Sequence, residues 1–455
     1  MSKQRIIYIK TMQQHIILTG VISFLSVLSV EAQTTWTMQQ CMQYAVAHSH
    51  EVNRTALELD NYMASKTEAL GRFLPEVDAG IGAQYNFGRA IDPETNTYTD
   101  VSTFYNGYSI QATLPIFDGF SRFHALKAAK ASELMGKASL HRQQDQTALA
   151  VMQAFVDAAY YSGMVEMANE KVEETMLLLK QVRLMEEVGR KSIADVAQVE
   201  SQQAEADYEL IRQRNLLASA LLQLKKEMGF PLQEDLSIKS VPLHETDCFY
   251  VRNNLFHAEK QPLNMLMPEL QQARYNVEVS HHEWHQARAS LFPSLSLSAG
   301  LNTTYYKTLH SKTTTSFGSQ INNNMGEYVG ATLSIPLFNR LQSVSSIRKA
   351  KNRYKMACEA YEEKRQELEK LSREAWQDWQ GYLLQTDQME KKVNADSIAY
   401  QLTKKQYEEG LSTAIDLHTT SVQLLNSKAT LLQCRLMAIV KEQLVRYYQG
   451  EAIWE

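Results

Sequence analysis

The stretch Gly107-Tyr108-Ser109-Ile110-Gln111-Ala112-Thr113-Leu114-Pro115-Ile116-Phe117-Asp118 decides how this chain is read. Tyr108, Ile110, Ala112 and Leu114 alternate with Gly107, Ser109, Gln111 and Thr113, a period of two that predicts a strand with one apolar face. Its closing motif returns 221 residues later, where Leu114-Pro115-Ile116-Phe117-Asp118 becomes Ile335-Pro336-Leu337-Phe338-Asn339. Upstream, Val77, Ala79, Ile81, Ala83, Tyr85 and Phe87 share one side, and Asp78, Gly80, Gly82, Gln84 and Asn86 the other. The second half repeats the pair with Leu295, Leu297, Ala299 and Leu301, then with Val329, Ala331, Leu333 and Ile335. Hairpins are therefore expected over residues 75–116 and 293–336, with their connecting loops at 88–106 and 306–325. Each strand has the length that crosses a bilayer at a tilt.

Other marks recur in the same order. Phe73-Leu74-Pro75 pairs with Leu291-Phe292-Pro293, and Gly189 and Asp195 pair with Gly410 and Asp416. Several such matches imply a tandem repeat. The expected plan is a first repeat at 33–228, a linker or equatorial segment at 229–264, and a second repeat at 265–455.

After each hairpin the period changes from two to about 3.5. Residues 120–188 and 341–409 contain no proline, and a continuous helix over either would reach ~100 Å. Val151, Ala158, Val165, Val172 and Leu179 recur every seven residues, as do Leu417, Leu424, Leu431, Ala438 and Val445. That spacing makes a helix–helix seam. Shorter helices are expected at 192–228 and 413–447, so the fold class is mainly α, built from long antiparallel coiled-coil helices with a small membrane β part.

Composition agrees. Of 455 residues only 18 are Gly and 9 Pro, too few breakers for a turn-rich chain. Lys plus Arg is 46 against 51 Asp plus Glu, a net charge of −5, which argues against a strongly basic nucleic-acid binder. Cys41, Cys248, Cys358 and Cys434 form no CxxC pair, so no disulfide framework or zinc finger is expected. Lys3, Arg5 and Lys10 precede an apolar run from Ile16 to Val30; residues 1–32 read as a secretory signal cut after Ala32. No later apolar run approaches membrane length, so any bilayer crossing must be made by strands.

Four strands cannot close a spanning barrel, because the smallest have about eight. Open edges in lipid leave backbone groups unpaired at several kcal/mol each. Copies of the chain must complete the wall, and the function that follows is a passive conduit. The rival reading is a periplasmic coiled-coil scaffold or adaptor without a pore, which shares the heptads but needs no amphipathic hairpins.

The paired Phe-Leu-Pro and Leu-Phe-Pro strand starts, the Leu-Pro-Ile-Phe-Asp and Ile-Pro-Leu-Phe-Asn strand ends, and the two Gly-x5-Asp turns resemble the TolC family of outer-membrane channel-tunnels. The resemblance covers essentially the whole mature chain. It implies a homotrimer whose three sets of four strands form a twelve-stranded barrel in outer-membrane lipid, with a long α-helical barrel in the periplasm. It also implies partnership with a periplasmic adaptor and an inner-membrane pump, in efflux or type I secretion, with no enzyme activity. Carried onto this sequence, the turns with Gly189, Arg190, Lys191, Ser192 and Asp195, and with Gly410, Leu411, Ser412, Thr413 and Asp416, are the periplasmic tips that meet the adaptor. Asp416 and Thr419 fall at the entrance constriction. Family members often hold that entrance with an arginine and a second aspartate; here Ser412 and Thr419 occupy those places, and Lys191 is left to pair with an acidic neighbour.

Local physics gives the same residues a plainer role: Gly ends the incoming helix, Ser192 or Thr413 caps the outgoing one, and the aspartate suits its first turn. No nucleophile elbow, HExxH or phosphate loop is found, and neither metal nor cofactor is expected. His281 and His285, four apart on one helix face, are the only weak metal candidates and read mainly as surface polar residues. Trp376, Trp379 and Tyr382 read as helix-packing residues.

Overall fold

The computed structural model describes residues 35–91, 96–100, 102–239, 266–309 and 315–454. The expected signal at 1–32, Cys248 and all of the expected linker beyond Lys239 lie outside the described residues. In chain order the elements are α1 (Met38–His48), α2 (His50–Gly71), β1 (Glu76–Asn86), β2 (Arg89–Ile91), β3 (Tyr98–Asp100), β4 (Thr103–Phe117), α3 (Ser121–Glu187) and α4 (Ile193–Met228). Then follow α5 (Pro268–Ala289), β5 (Ser294–Thr308), α6 (Phe317–Asn323), β6 (Gly326–Ser334), α7 (Gln342–Glu408) and α8 (Ala414–Gln449).

The duplication is kept to the residue. α3 and α7 each have 67 residues, α4 and α8 each have 36, and their starts, Ser121 with Gln342 and Ile193 with Ala414, are 221 apart. The repeat is a period of sequence rather than a compact body. Each of the chain's two compact units draws on both halves: the described residues of the first fall within 35–45, 150–239 and 388–436, and those of the second within 46–149, 266–387 and 437–454.

In the first unit, Val182, Val199, Tyr407, Ala414 and Leu417 form one buried cluster with Leu178, Leu179, Val196 and Tyr400 packed on it. The seam residues Val151 and Ala158 are fully buried, as the heptad requires. The start of the described chain is tied to the residues after α4. Trp36 bridges Ile238, and its ring meets Tyr44 at 5.5 Å and Phe230 at 5.8 Å.

In the second unit, the strands form one antiparallel sheet in the order β1-β4-β5-β6. β4 runs on through Pro115 with a register shift between Pro115 and Phe117. β6 stops at Ser334, short of Pro336, which has no N–H for the ladder. Both strand-to-helix turns place two consecutive residues in the left-handed region, Gly119 (φ 67°) and Phe120 (φ 69°), then Arg340 (φ 55°) and Leu341 (φ 65°). The residue before each pair caps the helix it opens: Asp118 Oδ2 accepts from the Arg122 backbone N–H at 3.0 Å, and Asn339 Oδ1 from that of Ser343 at 3.4 Å. Ala375, Trp379 and Val445 make a second core cluster against which Trp376 packs, the helix-packing role expected of these tryptophans.

The described parts of the expected loops carry secondary structure of their own. β2 and β3 extend the first as a small hairpin, with the Arg89 guanidinium 5.5 Å from the Tyr98 ring centre. In the second, β5 outruns β6, whose pairing ends at Gly326 opposite Asn302. The freed edge is satisfied by α6: Gln320 Oε1 accepts from the Tyr306 N–H and Gln320 Nε2 donates to the Tyr306 carbonyl, both at 2.9 Å. One side-chain amide stands in for a missing strand.

Candidate functional site: the amphipathic sheet and the capped helical turns

The register brings the four alternating sets onto one face. Val77, Ala112, Ala299 and Val329 lie opposite one another; so do Ala79, Ile110 and Leu301, and Leu114, Leu297 and Ala331. Among the described residues this apolar face is open, with Ile81 76% and Val329 86% exposed. In water that exposure costs roughly 25 cal/mol per Å²; against hydrocarbon it costs nothing. The other face is polar. There Gln111, Gly300 and Tyr328 lie in register, and the Tyr328 hydroxyl donates to Gln111 Oε1 at 3.2 Å. The Tyr328 ring crosses Gly300 so closely that an added Cβ would lie 2.6 Å from it.

Aromatic side chains gather at both ends of the strands. At the loop end, Tyr85 and Phe104 meet at 4.8 Å and Tyr305 lies 6.2 Å from Phe104; at the helix end, Phe117 meets Phe120 at 5.3 Å. Phe104 to Phe117 is about 40 Å along a strand, or about 30 Å across a bilayer at the usual barrel tilt, matching the hydrocarbon thickness. Among the described residues no helix is long and apolar enough to cross a membrane.

The α3–α4 and α7–α8 turns, in the first unit, are built alike. Gly189 (φ 75°) and Gly410 (φ 80°) take the left-handed position that ends the incoming helix. Arg190 N–H then reaches back to the Met185 carbonyl, and Leu411 N–H to that of Gln406, each at 2.8 Å. The outgoing helices open on reciprocal caps. Asp195 N–H donates to Ser192 Oγ at 3.2 Å while Asp195 Oδ2 accepts from the Ser192 N–H at 2.9 Å. Asp416 N–H donates to Thr413 Oγ1 at 3.1 Å, and Asp416 Oδ2 accepts the Thr413 hydroxyl at 2.6 Å and its N–H at 3.1 Å. Both carboxyls are held below the usual carboxylate range, Asp195 first by the Ser192 backbone N–H and Asp416 first by the Thr413 hydroxyl.

Thr419 Oγ1 donates to the Ile415 carbonyl of its own helix at 2.9 Å. The Lys191 ammonium lies 4.2 Å from the centre of the Tyr407 ring, and its charge also helps to hold down the Asp195 carboxyl of the same turn. Val188, Ile193, Leu411 and Ile415 leave an apolar rim exposed around these turns.

The sequence pattern described as outer membrane efflux protein matches residues 41–229 and 266–447. This chain belongs to the outer membrane efflux protein family. It is 24% identical to outer membrane protein TolC of Escherichia coli over 413 residues, covering 89% of this chain and 80% of TolC. It is 23% identical over 381 residues to the alkaline protease secretion protein AprF of Pseudomonas aeruginosa, covering 80% of this chain and 75% of AprF. The fold matches crystal structures of the outer membrane protein VceC of Vibrio cholerae, with a TM-score of 0.76 at 14% identity over 92% of this chain and 97% of that one, and of CusC, with a TM-score of 0.77 at 15% identity over 93% of each. As a member of this efflux protein family the chain is a non-enzymatic outer membrane protein, and its four-strand, long-helix architecture is that of the family's channels.

One expectation needs correcting. His281 and His285 are not simply surface polar residues: their Nε2 atoms face each other at 3.2 Å, and His124 of α3 stacks on His285 with ring centres 5.0 Å apart. Sequence reasoning missed His124 because 157 residues separate it from His281 and no local pattern marks it.

Proposed function

We propose that three copies of this efflux-family chain close a twelve-stranded barrel in the outer membrane, forming the exit duct of a tripartite efflux or type I secretion system. The observation that carries this reading is the open four-stranded sheet, with an apolar face that none of the described residues covers and with edges at β1 and β6. In lipid such edges must be paired, and a second and third copy supply the strands.

The duct conducts passively, from the periplasm outward, when docked to a periplasmic adaptor and an inner-membrane pump. We assign the docking surface to the turns with Gly189, Arg190, Lys191, Ser192 and Asp195, and with Gly410, Leu411, Ser412, Thr413 and Asp416, whose exposed Ile193 and Leu411 offer apolar contact. Asp416 and Thr419 line the entrance in this reading. Support for a duct serving export comes from the relatives, one named for alkaline protease secretion and another as a probable efflux pump outer membrane protein. Planar-bilayer recording of the purified protein tests the proposal: discrete channel conductance is expected, and a protein that inserts without conducting overturns it.

A further inference from the structure

The second unit carries a side-chain cluster that a passive duct does not use. Four imidazoles meet where the strands give way to helices. His124 of α3 lies seven residues after β4, and His281, His282 and His285 of α5 lie shortly before β5. Ring centres of His281 and His285 are 4.6 Å apart, those of His124 and His285 5.0 Å, and those of His124 and His282 5.7 Å. Tyr354 of α7 closes the group, 5.3 Å from His281 and 5.8 Å from Trp284. The Nδ1 atoms of His124 and His282 are buried and have no hydrogen-bond partner among the described residues.

The charges that act most strongly on the cluster are positive; of the α5 carboxylates beside it, Glu278 pairs with Arg274 at 3.6 Å and Glu283 is exposed. Lys127 acts from α3 on His124 and His282, Arg288 acts from α5 on His285, and Lys351 of α7 lies 5.7 Å over the Trp284 ring. The titratable groups of α7 at this place, Tyr354 and Cys358, are hydrogen-bonded to each other. Charge on His281 also opposes charge on His124, His282 and His285. Among the described residues no three His, Cys, Asp or Glu side chains are grouped to hold a metal ion; the two orphaned Nδ1 atoms are places where an imidazole can take up a proton.

We propose that His124, His282 and His285, packed against His281 and Tyr354, form an acid-sensitive joint: with these three uncharged, the cluster ties α3, α5 and α7 together at the base of the sheet, and with them charged, it forces these helices apart. Burial pushes His282 down from 6.5 to about 4, aided by charge on His281, and pushes His124 and His285 down as well. The sign follows. Above about pH 6.5 neither the closed nor the opened form is penalised. As the pH falls from there towards 4, the opened form binds protons that the closed form refuses, and stability declines.

The test is hydrogen exchange by mass spectrometry on the full-length detergent-solubilised protein, following the α5 amides from pH 7.5 to 4.5 with intrinsic rates corrected. The wild type is compared with the triple variant His124→Gln, His282→Gln, His285→Gln. We expect the opened population of the wild type to rise at least about tenfold more than that of the variant. Parallel pH dependences overturn the proposal. If the triple variant does not fold, His282→Asn alone must flatten the wild-type dependence, and an unchanged slope in that variant is equally fatal to the proposal.

Discussion

The ammonium of Lys191, in the α3–α4 turn, lies 4.2 Å from the centre of the Tyr407 ring on α7, two residues brought together across 216 positions of sequence. A cation over a ring contributes ~0.5–2 kcal/mol depending on how far it is desolvated. The Tyr407 hydroxyl is buried with no hydrogen-bond partner among the described residues, and burial raises its pKa. The ring rather than the hydroxyl therefore carries the contact. Tyr407→Phe should change stability by less than about 0.5 kcal/mol and leave conductance as it was. Lys191→Met should free the turn and raise the open-channel conductance. Finding the reverse in bilayer recordings removes this contact from any role in closing the entrance.

Asp416 separates two roles that one residue could hold. Asn keeps a side-chain oxygen for the Thr413 N–H and loses the charge; Ala loses both. If the carboxylate serves only the cap, Asp416→Asn should preserve conductance and cation selectivity while Asp416→Ala frays the start of α8. If the carboxylate narrows the entrance electrostatically, Asn alone lowers cation selectivity. The duct reading predicts the second result. The cap's pH window is fixed by the depressed Asp416 carboxyl: its support is present above the unfolded pKa near 3.8 and is lost only below it.

The two faces of the sheet should tolerate charge differently. Ile81 belongs to the open apolar face and Ser109 to the polar one. Lysine at a mid-bilayer lipid-facing position of a barrel costs ~2–4 kcal/mol, so Ile81→Lys should cut membrane-inserted protein sharply while Ser109→Lys inserts normally. Equal yields for the two variants in a fractionation assay exclude the assignment of faces.

The C-terminal segment is held from within the second unit. Asp145, only 3% exposed, accepts the Trp454 indole N–H at 3.1 Å. Trp454→Phe leaves that buried acceptor short of a donor and should cost ~1–3 kcal/mol. Burial also raises the Asp145 pKa. A raised carboxyl stabilises the fold at low pH, and that contribution is lost as pH rises through the folded value. Asp145→Asn should therefore gain stability relative to wild type as the pH rises above the ordinary carboxyl value of 3.8, measured by melting temperature. A relative loss as the pH rises contradicts the assignment.

The parts of this architecture that were legible in the sequence are those written in local periods. Val77 to Phe87 and Tyr108 to Leu114 alternate visibly, and the pairing register then carries their apolar residues onto one face. Val151 and Ala158 keep a seven-residue rhythm that burial follows. What could not be read depends on long-range approach or on backbone geometry. Nothing in Arg340-Leu341 announces two consecutive left-handed residues, since neither is glycine. Gln320 gives no sign that it will satisfy the backbone of Tyr306, because that need arises only where β6 falls short of β5. His124 joins the imidazole cluster through packing of α3 on α5, which no spacing encodes.

The central claim is that this chain supplies one part of a wall that its own copies complete. Native mass spectrometry of the detergent-solubilised protein, released from the membrane without cross-linking, addresses it most directly. The account predicts a single dominant species of three chains. A dominant monomer, or a ladder of open-ended assemblies with no preference for three, contradicts it.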